Sequence, residues 1–200
     1  MKSCRLILPA AALLGVIPQA AHAHGALEGV GDFYAGLLHP LVAPAEMLVI
    51  VATGLLIGRS GLAACRYGIL AFASAVAAGL VFGSIGAAST DRTTSLALLA
   101  LVAAAMVASG LRAPAWIAAG LAVPAGLVLG LDATPEGSMR LGGVLSGLAT
   151  LLGAVALITI LAALALRIER HWQRIAAQVA GSWITASAML YLAYQIVGLR

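Results

Sequence analysis

The chain has 200 residues, of which 62% are hydrophobic and 9% charged, and its formal net charge is +4. Apolar runs of about 18 residues or more recur along it, the length that the core of a bilayer demands of a helix, so a soluble domain is excluded and lipid is the expected surrounding. The eleven Lys and Arg stand singly between the apolar runs and form no patch interleaved with aromatics, which argues against a nucleic-acid partner.

Residues 1–23 read as a signal peptide. Lys2 and Arg5 give a positive start, "LILPAAALLGVI" an apolar segment too short to span, Pro18 a helix break, and Ala21, His22 and Ala23 a small-x-small cleavage site. Cleavage between Ala23 and His24 leaves residues 24–200 as a single transmembrane helical domain whose new N-terminus is outside the cytoplasm. Cys4 falls in the leader and Cys65 stands alone, so neither a disulfide framework nor a cysteine metal site is available.

Six helical spans are expected, over 37–58, 67–88, 93–111, 114–131, 141–166 and 175–198. The runs are apolar on every face and rich in Ala and Leu, whereas a β-barrel needs short alternating segments, so the fold class is an all-α polytopic membrane bundle. Short connections make antiparallel neighbours. With the N-terminus outside, Arg59, Arg66, Arg112, Arg167, Arg170 and Arg174 fall inside and Arg92, Arg140 and Arg200 outside, a bias of the sign that sets topology. The acids sort the other way: Glu28, Asp32, Asp91, Asp132 and Glu136 fall outside. Such a mouth attracts cations, although taken singly Asp91, Asp132 and Glu136 also suit solvated loops and helix caps.

Within the spans, Gly79 with Gly83, Gly126 with Gly130, and Gly143 with Gly147 place small residues four apart, where helix backbones can approach closely. Pro124 interrupts the fourth span, as a simple kink or as the lining of a polar cavity. Gln178, Ser182 and Thr185 recur at helical spacing in the last span and suggest a polar stripe bonding across helices.

The stretch from residue 24 to 46, "HGALEGVGDFYAGLLHPLVAPAE", gathers His24, Glu28, Asp32, His39 and Glu46. On a continuous helix these five would share an arc of about 80°, a ladder of carboxylates and imidazoles of the kind that divalent transition metals accept. Pro40 and Pro44 disfavour helical angles at His39 and Ala43, so a break or re-entrant turn near 39–44 is expected instead of an unbroken rod. Glu46 lies one to two turns inside a span, where an ionisable side chain costs about 2.5–3.5 kcal/mol on insertion scales and marks a pathway or an internal partner. The competing readings are that His39 sits at the water interface on a loop carbonyl, that Glu28 and Asp32 are solvated tail residues, and that His24 is a mobile terminus.

The leader ending "AHAHG", the run "LLHPLVAPAEMLVIVATGLLIG" and the later "RIAAQVAGSWITASAML" together resemble the HupE/UreJ family of hydrogenase and urease accessory membrane proteins. That resemblance implies a multi-span permease of the bacterial inner membrane importing nickel or cobalt, with metalloenzyme maturation machinery as a partner. It implies a divalent metal ion as substrate and no permanently bound cofactor. The family's first-span signature is His-Pro, four residues, then Asp-His; His39 and Pro40 match, whereas Ala45 and Glu46 stand where Asp and His are expected. A second family signature, a later span with Phe-His-Gly and a downstream Glu, has no counterpart: "VFGSIGAAS" offers neither His nor Glu. Replacing an imidazole by a carboxylate shifts the donor set from nitrogen towards oxygen.

Three functional readings follow: a divalent-cation permease using His39 and Glu46 with His24, Glu28 and Asp32 as outer collector; a membrane accessory or scaffold protein that keeps the fold without transport; and a membrane enzyme. The sequence speaks against the enzyme. No later span offers paired His for haem, and no Ser, His and carboxylate cluster or phosphate loop is present.

Overall fold

Apolar segments flanked by Gly, Pro and Ser fold into seven helices in the computed structural model, which describes residues 31–86, 92–134 and 141–198. They are α1 (Asp32–Val42), α2 (Pro44–Arg59), α3 (Leu62–Ser84), α4 (Thr93–Ala108), α5 (Ala115–Asp132), α6 (Leu141–Leu166) and α7 (His171–Gly198). The signal peptide and its cut, with His24 and Glu28, lie outside the described residues.

Four helices, α3, α5, α6 and α7, are long and apolar enough to cross a membrane, and α1 with α2, bent by 69° at their junction, forms a broken span or a re-entrant loop. The sixth expected span, α4, has only 16 helical residues, about 24 Å of rise against a hydrocarbon core of about 30 Å. Among the described residues the architecture is all-helical as expected, the break expected near 39–44 falls at Ala43, and one span is shorter than expected.

Helix α2 runs through the middle. Val49, Ile50, Ala52, Leu56 and Ile57 are buried around its circumference, together with Glu46, Thr53, Gly54 and Gly58. Three tightly packed pairs surround it: α3 with α5, α4 with α7, and α1 with α6. Small residues make each pair tight. A Cβ at Gly79 of α3 would stand 2.9 Å from Gly130 Cα of α5, and one at Gly181 of α7 would stand 2.9 Å from the Ala104 oxygen of α4. In the third pair, a Cβ at Gly36 of α1 would run into the Ser146 backbone of α6. Of the glycines expected to allow close approach, Gly79, Gly126 and Gly130 form the α3–α5 seam, whereas Gly83 faces the Thr134 side chain and Gly147 only reaches a Leu80 methyl at 3.8 Å.

The core these contacts enclose is rich in alanine, among them Ala100, Ala104, Ala118, Ala122 and Ala154, while Leu70, Leu98, Leu148, Leu164 and Leu190 are exposed. This inversion suits lipid: large apolar side chains lose nothing by facing acyl chains, and small ones let backbones meet. The hydroxyls of the α7 polar stripe do not bridge helices. Ser182 donates to the Gln178 carbonyl and Thr185 to the Gly181 carbonyl, each bonding its own helix one turn back. A hydroxyl has that option in any helix, so its spacing carries no information about a partner.

Candidate functional site

The two prolines of the opening stretch act differently. Ala43, before Pro44, is extended at φ −91°, ψ 105°, and ends α1, while His39, before Pro40, stays helical. Pro40 has no N–H to give the Gly36 carbonyl one turn back. The Thr150 hydroxyl of α6 stands 3.0 Å from that carbonyl and 3.0 Å from the Ser146 carbonyl of its own helix, so its one proton is shared between them and a residue 114 positions away partly replaces the missing donor.

The break at Ala43 brings the two ionisable side chains together. His39 lies in the last turn of α1 and Glu46 in the first turn of α2, and His39 Nε2 stands 3.1 Å from Glu46 Oε1. Glu46 is completely buried, and the His39 side chain is 17% exposed. Position matters as much as pairing. The first turn of a helix carries the positive end of its dipole and favours a carboxylate, and the last turn carries the negative end and favours an imidazolium. A kinked span thus presents opposite helix ends to an acid and a base, the arrangement by which discontinuous membrane helices hold ions. A straight helix would have placed His39 and Glu46 in the middle of a continuous backbone ladder with no such ends.

Two further groups extend the site. Thr53, seven residues beyond Glu46 on the same face of α2, is 1% exposed, and its hydroxyl oxygen has no hydrogen-bond partner among the described residues. Asp132, the last residue of α5, places its carboxylate close enough to act on the His39 imidazole through space. Beside it, Arg92 donates to the Leu131 carbonyl at 2.9 Å and ties the start of α4 to the end of α5. Sequence reasoning left Asp132 among the loop acids and passed over Thr53. The second was discoverable, since it repeats the seven-residue spacing of His39 and Glu46.

Asp32 opens α1, is exposed, and sets its carboxylate against Gly142 at the start of α6. It lies two turns from His39, so the structure joins His39 to Glu46 and keeps Asp32 apart. Among the described residues no group of three His, Cys, Asp or Glu is arranged to hold a metal ion. The site is a two-donor pair with a hydroxyl oxygen further along the same helix face.

A central helix wrapped by three close-packed pairs, with an acid and a base meeting at a kink inside the bundle, defines a multi-pass α-helical membrane protein with a polar site at a broken span. The family model described as "HupE / UreJ protein" matches residues 11–191, and the chain belongs to that family of accessory membrane proteins. Neither the curated proteins nor the solved structures searched contain a significant match to it.

Proposed function

We propose that the chain is a permease that takes up a divalent transition-metal cation, nickel or cobalt, for metalloenzyme assembly. The observation that carries this reading is the His39–Glu46 pair, a fully buried carboxylate facing an imidazole across a helix break. A neutral imidazole and a carboxylate are both donors to these metals. When a divalent cation enters, it takes the place of the hydrogen bond between them, and the single carboxylate offsets one of its two charges, leaving the other for a nearby carboxylate such as Asp132. Thr53 supplies the next oxygen along α2, the carboxylates of Glu28, Asp32 and Asp132 raise cation concentration at the mouth, and His24 adds an imidazole and a free α-amine as donors there. In this reading the protein lies in the bacterial inner membrane with its mature N-terminus and the His39 end outside. The partner inside is metalloenzyme maturation machinery, and the chain itself catalyses no reaction.

One observation favours a second reading, a non-transporting accessory or scaffold protein. The pair has two donors, and Ala45 and Glu46 replace the Asp and His of the family signature. Glu46→Gln separates the two. For a permease, the uncharged isostere abolishes nickel- or cobalt-dependent stabilisation and uptake while the protein stays inserted. Ala45→Asp with Glu46→His then shifts preference towards nickel. For a scaffold, Glu46→Gln is neutral or slightly stabilising, because it removes a buried carboxylate. Melting curves and metal accumulation decide, and failure of all three proteins to bind or move a divalent cation sinks the permease reading.

A further inference from the structure

At the opposite end of α2 the loops after α2, α4 and α6 and the first turn of α7 enclose a cavity of about 260 Å³. Arg59, Arg112 and Arg174 line it, together with apolar Ala165, Leu166 and Ile168. Arg59 is half-buried and fixed in place: its guanidinium donates to the Val107 carbonyl at 2.6 Å and to the Gly110 carbonyl at 3.2 Å. Arg112 and Arg174 are exposed, and the charges of both bear on Arg59. None of the three forms an ion pair with a carboxylate among the described residues. Three cations held around one cavity repel one another, and an anion seated between them relieves that repulsion.

We infer that this cavity binds the phosphate of an anionic phospholipid headgroup. Guanidinium groups match phosphate oxygens with paired hydrogen bonds, which a lone ammonium does not. The depth is that of headgroups. Trp116 at the start of α5 and Trp172 at the start of α7 are exposed on the same end of the bundle, and indoles exposed near helix ends mark the membrane–water interface. The apolar side of the cavity, Leu166 and Ile168, gives the glycerol and upper acyl chain a surface that a free phosphate does not use. Basic pockets between membrane helices at this level hold anionic lipids in this way. The inference is independent of metal transport and of which face of the membrane the cavity occupies.

The test uses the purified full chain in phosphatidylcholine nanodiscs titrated with phosphatidylglycerol, read by native mass spectrometry. Wild type is expected to retain phosphatidylglycerol in preference to phosphatidylcholine. Each exposed arginine contributes about fivefold in affinity, so Arg112→Gln alone weakens retention about fivefold and Arg112→Gln with Arg174→Gln about 25-fold. Arg66→Gln, which removes a charge from α3 outside the cavity, leaves it unchanged. Equal retention of the two lipids overturns the inference, as does a double variant within twofold of wild type or an Arg66→Gln loss as large as that of Arg112→Gln. A thermal shift produced by inorganic phosphate, lost in the double variant and unaccompanied by lipid preference, overturns it in favour of a soluble anion.

Discussion

The two ends of α2 handle charge in opposite ways. At its N-terminal end an acid is buried and its hydrogen-bond partner, a counter-charge when the imidazole is protonated, is supplied from seven residues earlier in the same chain, across a kink. At its C-terminal end a cation is half-exposed, its hydrogen bonds go to the backbone at the end of α4, and no carboxylate among the described residues pairs with it. Burial decides which solution is needed: a sealed carboxylate without a partner is far costlier than a guanidinium that water or lipid can reach. A local pair therefore serves the first end and an open cavity the second.

The contrast breaks most severely at His39. His39→Ala leaves the Glu46 carboxylate buried without its imidazole, and the expected loss is about 3–5 kcal/mol, measured by reversible unfolding in mixed micelles. Glu46→Gln removes the charge itself and does not carry that loss, so equal destabilisation by the two changes would show that packing, and not charge, holds the kink. Next comes Thr150→Val, which keeps the shape and removes the donor that stands in for Pro40. A buried acceptor left unmade costs about 1–3 kcal/mol, and faster amide exchange confined to α1 is the accompanying sign. Smallest is Arg59→Met, which frees the Val107 and Gly110 carbonyls at the exposed end. Water can take over there, and the expected cost is about 0.5–1.5 kcal/mol. If it matched His39→Ala, the distinction between sealed and open ends would fail.

Much of this was readable before any coordinates. Long apolar runs placed the helices, and the prolines placed a break within 39–44, because both signals act locally. Gly79, Gly126 and Gly130 announced a close seam by their spacing, although nothing in it says which helices meet. The partner of Pro40 was not readable: Thr150 lies 114 residues away, and only the tertiary fold brings a hydroxyl to Gly36. The α1–α6 seam at Gly36 was hidden for the same reason, since the residues four away from Gly36 are Asp32 and Pro40 and no small-residue pair marks it. Ser182 and Thr185 misled because periodic hydroxyls satisfy themselves on their own helix, whereas the Gln178 side chain does reach across to Gly110. A continuous helix would set all five candidate ligands on one face, with His39 and Glu46 as the site and His24, Glu28 and Asp32 as its outer collector. The bend singled out His39 and Glu46 as the two that meet, and His24 and Glu28 lie outside the described residues.

The glycine seams also fix how the bundle can move. Where a neighbouring Cβ would collide with backbone, two helices cannot slide past one another, so α1 with α6, α3 with α5 and α4 with α7 each respond to force as a single beam. The same criterion locks α2 to α6, where a Cβ at Gly58 would run into the Ala162 backbone, so rocking of the α3–α5 and α4–α7 pairs against α2 is the easier deformation and shear inside a pair the harder one. Glu46 and Thr53 sit on α2. Any motion that exposes them to one side of the membrane and then to the other is thus a change in which beams lean against α2, and cross-links placed within a pair should leave it free while cross-links between pairs arrest it.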